Sequence, residues 1–253
     1  MPVVPSDAAE VFDDLEAEQD RLEALLSGLD ERAWTTESDA AGWSVADVVL
    51  HLAQSEELVV ATFGGPVEPR AAGVEAAAGS SMDEMMDAAV RAQRAPGPVV
   101  FERWRQARRQ ALEALRAAPP DTAVPWAAAP LRPGTLATTR LAEHWAHGLD
   151  VAAPLGVTLE DTPRLRHVAW LAHRSLPYAF TLAGQEAPPV RCDLTFDGEH
   201  WVFGPEGAQS RIEGEAGEFC RVAAQRMPAG KTGLRASGPH GAAALAVLRT
   251  YAA

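Results

Sequence analysis

Two cysteines in 253 residues are too few for a disulfide scaffold. Cys192 and Cys220 read as small buried residues, not as ligands or nucleophiles. No apolar run approaches the length of a membrane span. Positive charge is scarce as well: 22 Lys and Arg against 35 Asp and Glu give a formal charge of −13. That balance argues against nucleic acid and anionic membranes as partners. It leaves small molecules, anionic ones included, because a local basic pocket overrides the mean. Residues 1–20 lack the basic and apolar regions of a signal peptide, so a cytoplasmic protein is the expectation. What remains is an ordinary globular composition, 47% hydrophobic and 23% charged, long enough for one large domain or two small ones.

Helical periodicity dominates the first part of the chain. Phe12, Leu15, Leu22, Leu25, Leu26 and Leu29 recur at helical spacing and predict a helix over residues 13–29. Ser27-Gly28 weakens its end, and Trp34-Thr35-Thr36 begins a connection. Ser44 is a candidate N-cap, with Asp47 three residues on, for a helix running to about Phe63. Gly64-Gly65-Pro66 stops it. Residues 66–81, rich in Ala, Gly and Pro, read as a long loop. Helices are predicted over 82–94 and 99–117, and the prolines of 121–134 mark a loop. A further helix follows Thr135. Four substantial helices joined in this way suggest a bundle whose core can hold a metal.

The later residues differ. Asp161-Thr162-Pro163 reads as N-cap and first turn of a helix to about Phe180. Val190 to Phe196 alternates like a strand, Asp197-Gly198 is a turn signal, and His200 to Phe203 is its hairpin partner. A third strand is expected at Arg211-Ile212-Glu213 and a short one near Leu234. Helices are expected over 216–227 and 242–251. The predicted fold is an N-terminal helical bundle (residues 1–157) followed by a small α+β domain (residues 158–253).

The run Arg140-Leu141-Ala142-Glu143-His144-Trp145-Ala146-His147-Gly148-Leu149-Asp150 carries chemistry. Glu143 and His147 lie four apart, on one helical face, the spacing at which two side chains grip one ion. His51 lies on another predicted helix among the apolar Val48, Leu52 and Leu58, so it points inward. His51, Glu143 and His147 are therefore candidate ligands for one divalent cation. Three protein ligands leave a position open for water or substrate, as catalytic sites do. For His51 alone, the rival reading is a buried histidine satisfied by a carbonyl. Asp150 either accepts the free imidazole N–H of His147 or makes a surface contact. Arg140 either pairs with Glu143 or belongs to a buried structural ion pair. His144 points away from His147 and is expected on a surface or between domains. Trp43 and Trp145 read as core anchors, with a pocket wall as the alternative. Arg103, Arg105, Arg108 and Arg109 read as a solvated face. His167, His173, His200 and His240 lack a partner at ligand spacing and read as structural.

Gly42-Trp43-Ser44-Val45-Ala46-Asp47-Val48-Val49-Leu50-His51-Leu52 resembles the GW-(S/T)-V-x-D-x-x-x-H-L signature of mycothiol-dependent maleylpyruvate isomerase-like proteins. These belong to the DinB/YfiT-like metalloenzyme superfamily. Arg140-x-x-Glu143-x-x-x-His147-x-x-Asp150-Val151 resembles the family's second signature. The helix Glu218-Phe219-Cys220-Arg221-Val222-Ala223-Ala224-Gln225-Arg226 resembles part of its C-terminal domain. The resemblance implies a DinB-like four-helix bundle holding zinc, or nickel, iron or cobalt, through His51, Glu143 and His147. It implies mycothiol as thiol cofactor and an arginine of the later domain reaching the site. Arg226 is the position that fits, as a contact for a carboxylate; a surface arginine near a helix end is the alternative.

The reading that follows is a metal-dependent enzyme using a low-molecular-weight thiol for isomerisation or S-transfer on a small electrophilic substrate. Addition, bond rotation and elimination give cis–trans isomerisation; displacement gives transfer. No cysteine of the chain has a motif context for the nucleophile, so the sulfur comes from the cofactor. The rivals are a thiol-independent metal-dependent lyase or hydrolase and a non-catalytic metal-stabilised ligand-binding protein. The pocket is expected between the two domains. Composition and motifs leave the substrate and the oligomeric state open.

Overall fold

The computed structural model describes residues 8–64, 81–126 and 129–250. The loop expected over residues 66–81 falls almost wholly outside them; the last expected helix, over 242–251, ends already at Val247, where the Leu248 backbone turns extended, and its final residue lies outside the described ones. The chain forms two compact units, Ala8–Leu159 and a second from Glu160 onward.

The first unit is helical. Its long helices are α1 (Ala8–Leu26), α3 (Val45–Thr62), α5 (Gly97–Ala117) and α6 (Pro133–Ala152), with the shorter α2 (Glu31–Thr35) and α4 (Met82–Ala92) between them. α1 packs on α5 and α6, and α3 packs on the same two helices, which closes the expected bundle. The apolar stripe of α1 is Leu15, Leu22 and Leu26, all buried. The helix starts earlier than its leucine pattern predicts and ends at Leu26, just before Ser27-Gly28. α2 occupies part of the predicted connection. The Asp30 carboxylate caps it by accepting from the Ala33 N–H, and so turns a polar spacer into a helical turn. Trp34 of α2 is buried against Gly97, where a β-carbon would collide with its ring.

α3 starts where the sequence places it. Ser44 Oγ accepts from the Asp47 N–H, and the Asp47 carboxylate returns to the Ser44 N–H, a complete capping box. Val45, Val48, Val49, Leu52 and Val59 then fill the core, so α3 is fixed both at its end and along its face. α5 presents Val100, Trp104, Leu112 and Leu115 inward, as its periodicity implies. Its arginines are not simply solvated. Arg108 is buried, lies over the Trp104 ring, and binds Asp20 and Glu23 of α1. Arg103 pairs with Glu57 of α3 at 2.6 Å. An acidic α1 recruits the basic side of α5, which reading α5 by itself does not reveal.

The second unit contains α7 (Leu165–Leu182), β1 (Val190–Phe196), β2 (Glu199–Phe203), β3 (Ser210–Glu215), α8 (Ala216–Ala223), β4 (Arg235–Ser237) and α9 (Gly241–Val247). The strand order is β2-β1-β3-β4, with β1 and β3 parallel and the outer pairs antiparallel. Asp197 and Gly198 take φ of 46° and 80°, the left-handed pair that a two-residue hairpin requires. Cys192 and Leu194 point into the core from β1, and Cys220 is buried on α8. Burial pushes the Cys192 thiol up to about 12 and Cys220 well above its ordinary range, so neither is a thiolate at neutral pH.

Asp161 does not cap α7, which begins only at Leu165. Its carboxylate receives two hydrogen bonds from Arg221, both 2.8 Å, and a bidentate guanidinium outcompetes the backbone N–H groups of a nascent helix. α8 ends at Ala223, short of the expected Met227, because Gln225 adopts φ 61° and Pro228 follows. Among the described residues, no helix is long and apolar enough to cross a membrane.

Candidate metal centre

α3 and α6 bring the candidate ligands together. His51 Nε2 lies 3.6 Å from Glu143 Oε2, and His147 Nε2 lies 3.5 Å from the same oxygen. The three ligand atoms all fall within 4.8 Å of one another. Separations of 3.5 and 3.6 Å are long for hydrogen bonds. They suit ligands of one tetrahedral ion, whose neighbouring donor atoms sit about 3.4 Å apart when each is about 2.1 Å from the metal. The donor set, two imidazoles and a carboxylate, is one that catalytic zinc accepts. The residues therefore fit a divalent ion.

The surroundings fix the donor atoms. Asp150, buried on α6, accepts a 2.9 Å hydrogen bond from His147 Nδ1. A carboxylate only accepts, so Nδ1 carries a proton and Nε2 is the nitrogen turned towards Glu143. The Asp150 carbonyl also accepts from the Asp39 N–H at 3.0 Å, which ties the loop before α3 to the end of α6. His51 Nδ1 is buried without a hydrogen-bond partner among the described residues. Trp43 closes one side. Its ring centroid lies 5.2 Å from that of His51 and 6.4 Å from that of His147, and its indole N–H donates to Asp87 of α4 at 2.9 Å. The pocket-wall reading of Trp43 is the one the geometry supports, while Trp145 is a core residue.

Electrostatics follow from burial and from mutual contact. Burial holds the His51 imidazolium below its ordinary range, against the pull of Glu143. Burial would lower His147 too, but its hydrogen bond to Asp150 and its contact with the Glu143 carboxylate outweigh that and raise it. Burial would raise Glu143, yet His147, His51 and Arg140 together hold it well below the usual carboxylate range. The oxygen at the centre of the cluster is thus an anion.

Directly behind lies a polar chain that the sequence reading only half anticipates. Arg140 Nε donates to Glu56 Oε1 at 2.9 Å, and both side chains are buried, at 4% and 0% exposure. Arg140 therefore belongs to a buried ion pair, and its partner is not Glu143. His144 corrects the expectation of a surface position: it is 1% exposed. Its Nδ1–H donates to the Arg140 carbonyl at 2.8 Å, and its Nε2 accepts from the Trp104 indole at 3.1 Å. Burial, reinforced by the Arg140 charge, lowers it to about 3, so it is a neutral imidazole. Glu56 went unnoticed in the sequence. Its signal was there, because Leu52, Glu56 and Val59 follow the apolar stripe of α3. A carboxylate on such a stripe needs a buried cation.

Arg226 lies just beyond α8, half-buried, where its Nη1 donates to the Ala224 carbonyl at 2.7 Å. Within the same unit, a cavity of about 540 Å³ is lined by Asp161, Phe196, Asp197, Glu215 and Arg221 among others. Arg221, which the sequence reading passed over, faces that cavity through its pair with Asp161.

Two uncharacterized proteins from strains of Mycobacterium tuberculosis are each 32% identical over 243 residues, covering 94% of this chain and 94% of their own. Among solved structures, the mycothiol-dependent maleylpyruvate isomerase superposes with a TM-score of 0.61 at 15% identity, covering 92% of this chain and 96% of that one. A histidine-to-alanine variant of the same enzyme gives 0.62. At that identity the likeness speaks for the fold. A profile of the mycothiol maleylpyruvate isomerase N-terminal domain matches residues 15–152, a span containing His51, Glu143, His147 and the helices that carry them. By that match over more than half of its length, the chain belongs to the mycothiol maleylpyruvate isomerase family.

Proposed function

We propose that the protein is a divalent-metal-dependent enzyme that uses a low-molecular-weight thiol, mycothiol, for isomerisation of, or S-transfer to, a small electrophilic substrate. The observation that carries this reading is the convergence of His51 Nε2, Glu143 Oε2 and His147 Nε2 on one point. His51, Glu143 and His147 would hold the ion, with zinc the first choice and nickel, iron or cobalt compatible with the same donors. When bound, the ion supplies Lewis acidity and favours the deprotonated form of a thiol at neutral pH. Mycothiol is supported by the dependence of the solved isomerase on that thiol.

The remaining roles belong to the chain's own side chains. Asp150 keeps a His147 proton on Nδ1 and so leaves Nε2 as the nitrogen that would bind an ion. Trp43 shields the two imidazoles from water on one face, which strengthens every charge interaction behind it. A buried, neutral His144 withholds a second positive charge from the back of the site. Cys192 and Cys220 lack the character of nucleophiles, in keeping with a sulfur brought by a cofactor.

Elemental analysis followed by thermal shift with zinc, nickel and manganese, each with and without mycothiol, tests the reading. Stabilisation by the thiol only in the metal-loaded protein is expected. Metal binding with indifference to the thiol would favour the lyase or hydrolase alternative, which the same donors could serve. Stabilisation by metal with no turnover of any electrophile would leave a ligand-binding protein.

Arg226 is proposed as the group that binds a substrate or cofactor carboxylate. Arg226→Ala is expected to retain metal and fold and to weaken binding of thiol or substrate. A lost bidentate contact costs about 1.5–3 kcal/mol, or roughly 10- to 150-fold. Calorimetric titration checks it, and parent-like affinity would leave the arginine as a cap on the end of α8.

A further inference from the structure

We propose that Glu56 and Arg140 are positioning residues: their buried ion pair, with His144 and Trp104, sets the rotation of α6 against α3 and so brings the metal ligands into register. The inference rests on the metal-centre reading above. Three observations carry it.

The first is placement. Arg140, Glu143, His144 and His147 occupy one arc of α6, because residues three, four and seven apart share a face. A hydrogen bond that fixes Arg140 or His144 therefore fixes the azimuth of Glu143 and His147. The partner helix is the right one, since Glu56 lies on α3, the helix that contributes His51.

The second is the direction of the bonds. Arg140 Nε reaches α3 at Glu56, and Trp104 Nε1 reaches from α5 to His144 Nε2. The His144 Nδ1–H returns to the Arg140 carbonyl and locks the ring to its own helix. α6 is thus held from two sides by directional contacts. Apolar packing alone would tolerate small rotations. At a side-chain radius of about 5–6 Å, a rotation of roughly 10° shifts a ligand atom by about 1 Å. A ligand constellation tolerates only about 0.5 Å.

The third is the energetic disadvantage of the pair as a purely structural element. Glu56 Oε2 and Arg140 Nη2 are both buried without a hydrogen-bond partner among the described residues. An incompletely satisfied buried pair is a poor source of stability, and apolar residues of similar volume commonly equal or surpass it. A role in register accounts for its presence on the two ligand-bearing helices.

The test uses the full chain loaded with Co²⁺ and with Zn²⁺. It compares the parent with a double variant, Glu56→Leu with Arg140→Met, which removes both charges together. Three readouts are taken: the unfolding midpoint in urea, metal affinity by chelator competition, and the Co²⁺ ligand-field absorption. A midpoint close to the parent is expected, with metal affinity about 10- to 100-fold weaker and shifted Co²⁺ bands. A double variant that is as stable as the parent, binds metal equally well and gives the same spectrum overturns the inference. Should the double variant fail to fold, Glu56→Gln decides in its place, because it keeps the volume and one acceptor. A several-fold loss of affinity with altered Co²⁺ bands supports positioning, and parent-like values overturn it. A parent protein that takes up no ion removes the metal-centre reading itself. That outcome is distinct from a parent that binds and variants that bind equally well.

Discussion

Replacing His147 with alanine is expected to lower metal affinity by more than about 100-fold and to leave the purified protein almost free of ion. Loss of a residue that merely orients a ligand typically costs about 10- to 100-fold. On the proposed assignment His147 is itself a ligand, and its removal leaves only His51 and Glu143, from two different helices. Asp150→Ala, which frees the His147 ring to rotate, is expected to fall within the smaller range, and the ordering of the two variants is part of the prediction. The fold is expected to survive both. The bundle has an apolar core of its own, including Leu22, Leu26, Val48, Leu50, Leu52 and Trp104, that owes nothing to an ion. Chelation should therefore leave helical circular dichroism intact. Elemental analysis provides the check. Full occupancy of the His147→Ala protein removes the ligand assignment, and collapse of the helices on chelation would mark a structural ion instead.

The other large effect is expected from Arg140→Met alone. It strips the cation from a carboxylate with 0% side-chain exposure, and breaking a buried pair from one side costs about 3–5 kcal/mol. The loss should depend on pH, with a definite sign. Burial already raises Glu56 above its usual range, and without the Arg140 charge it rises further. Between the unfolded value near 4.3 and the raised folded value, the folded state then carries more protons than the unfolded one. Stability of the variant should fall as pH rises through that window and recover towards acid. Urea denaturation at about pH 5 and pH 8 reads both effects. A variant within about 1 kcal/mol of the parent at pH 8 would mean that Glu56 reaches solvent after all.

What the sequence made legible divides along local and long-range lines. Ser44 and Asp47 announce their helix through a cap that involves only four residues. The Glu143/His147 pair is legible for the same reason, since helical spacing puts both on one face. The Asp197-Gly198 hairpin is set by two backbone angles that few residues adopt. Contacts between distant segments were less legible. His144 lies three residues from His147 and so shares its face of α6, which makes its burial legible from spacing and the surface expectation a local misreading; only its partner, the Trp104 indole forty positions upstream, is long-range. Arg108 looked solvated until α1 supplied Asp20 and Glu23. Asp161 resembled a helix cap until Arg221, sixty residues later, claimed both of its oxygens. The Arg108 and Asp161 errors each involve a polar side chain whose preferred partner is a distant opposite charge, a competition that local pattern cannot weigh.

His51 and Glu143 are separated by about ninety residues of chain, whereas Glu143 and His147 are one helical turn apart. The proposed metal site is therefore two-thirds local and one-third remote. Joining two points that far apart in an unfolded chain costs on the order of 4 kcal/mol of loop entropy. An ion held by all three residues acts as a reversible cross-link over that loop. During synthesis the nascent chain must emerge past α6 before it can offer a complete set of donors. Until then, Glu143 and His147 are not yet made and His51 waits alone. Uptake of metal would thus report the docking of α6 on α3 and not the formation of either helix, and free metal concentration would tilt the late, long-range step of folding while leaving the early, local steps untouched.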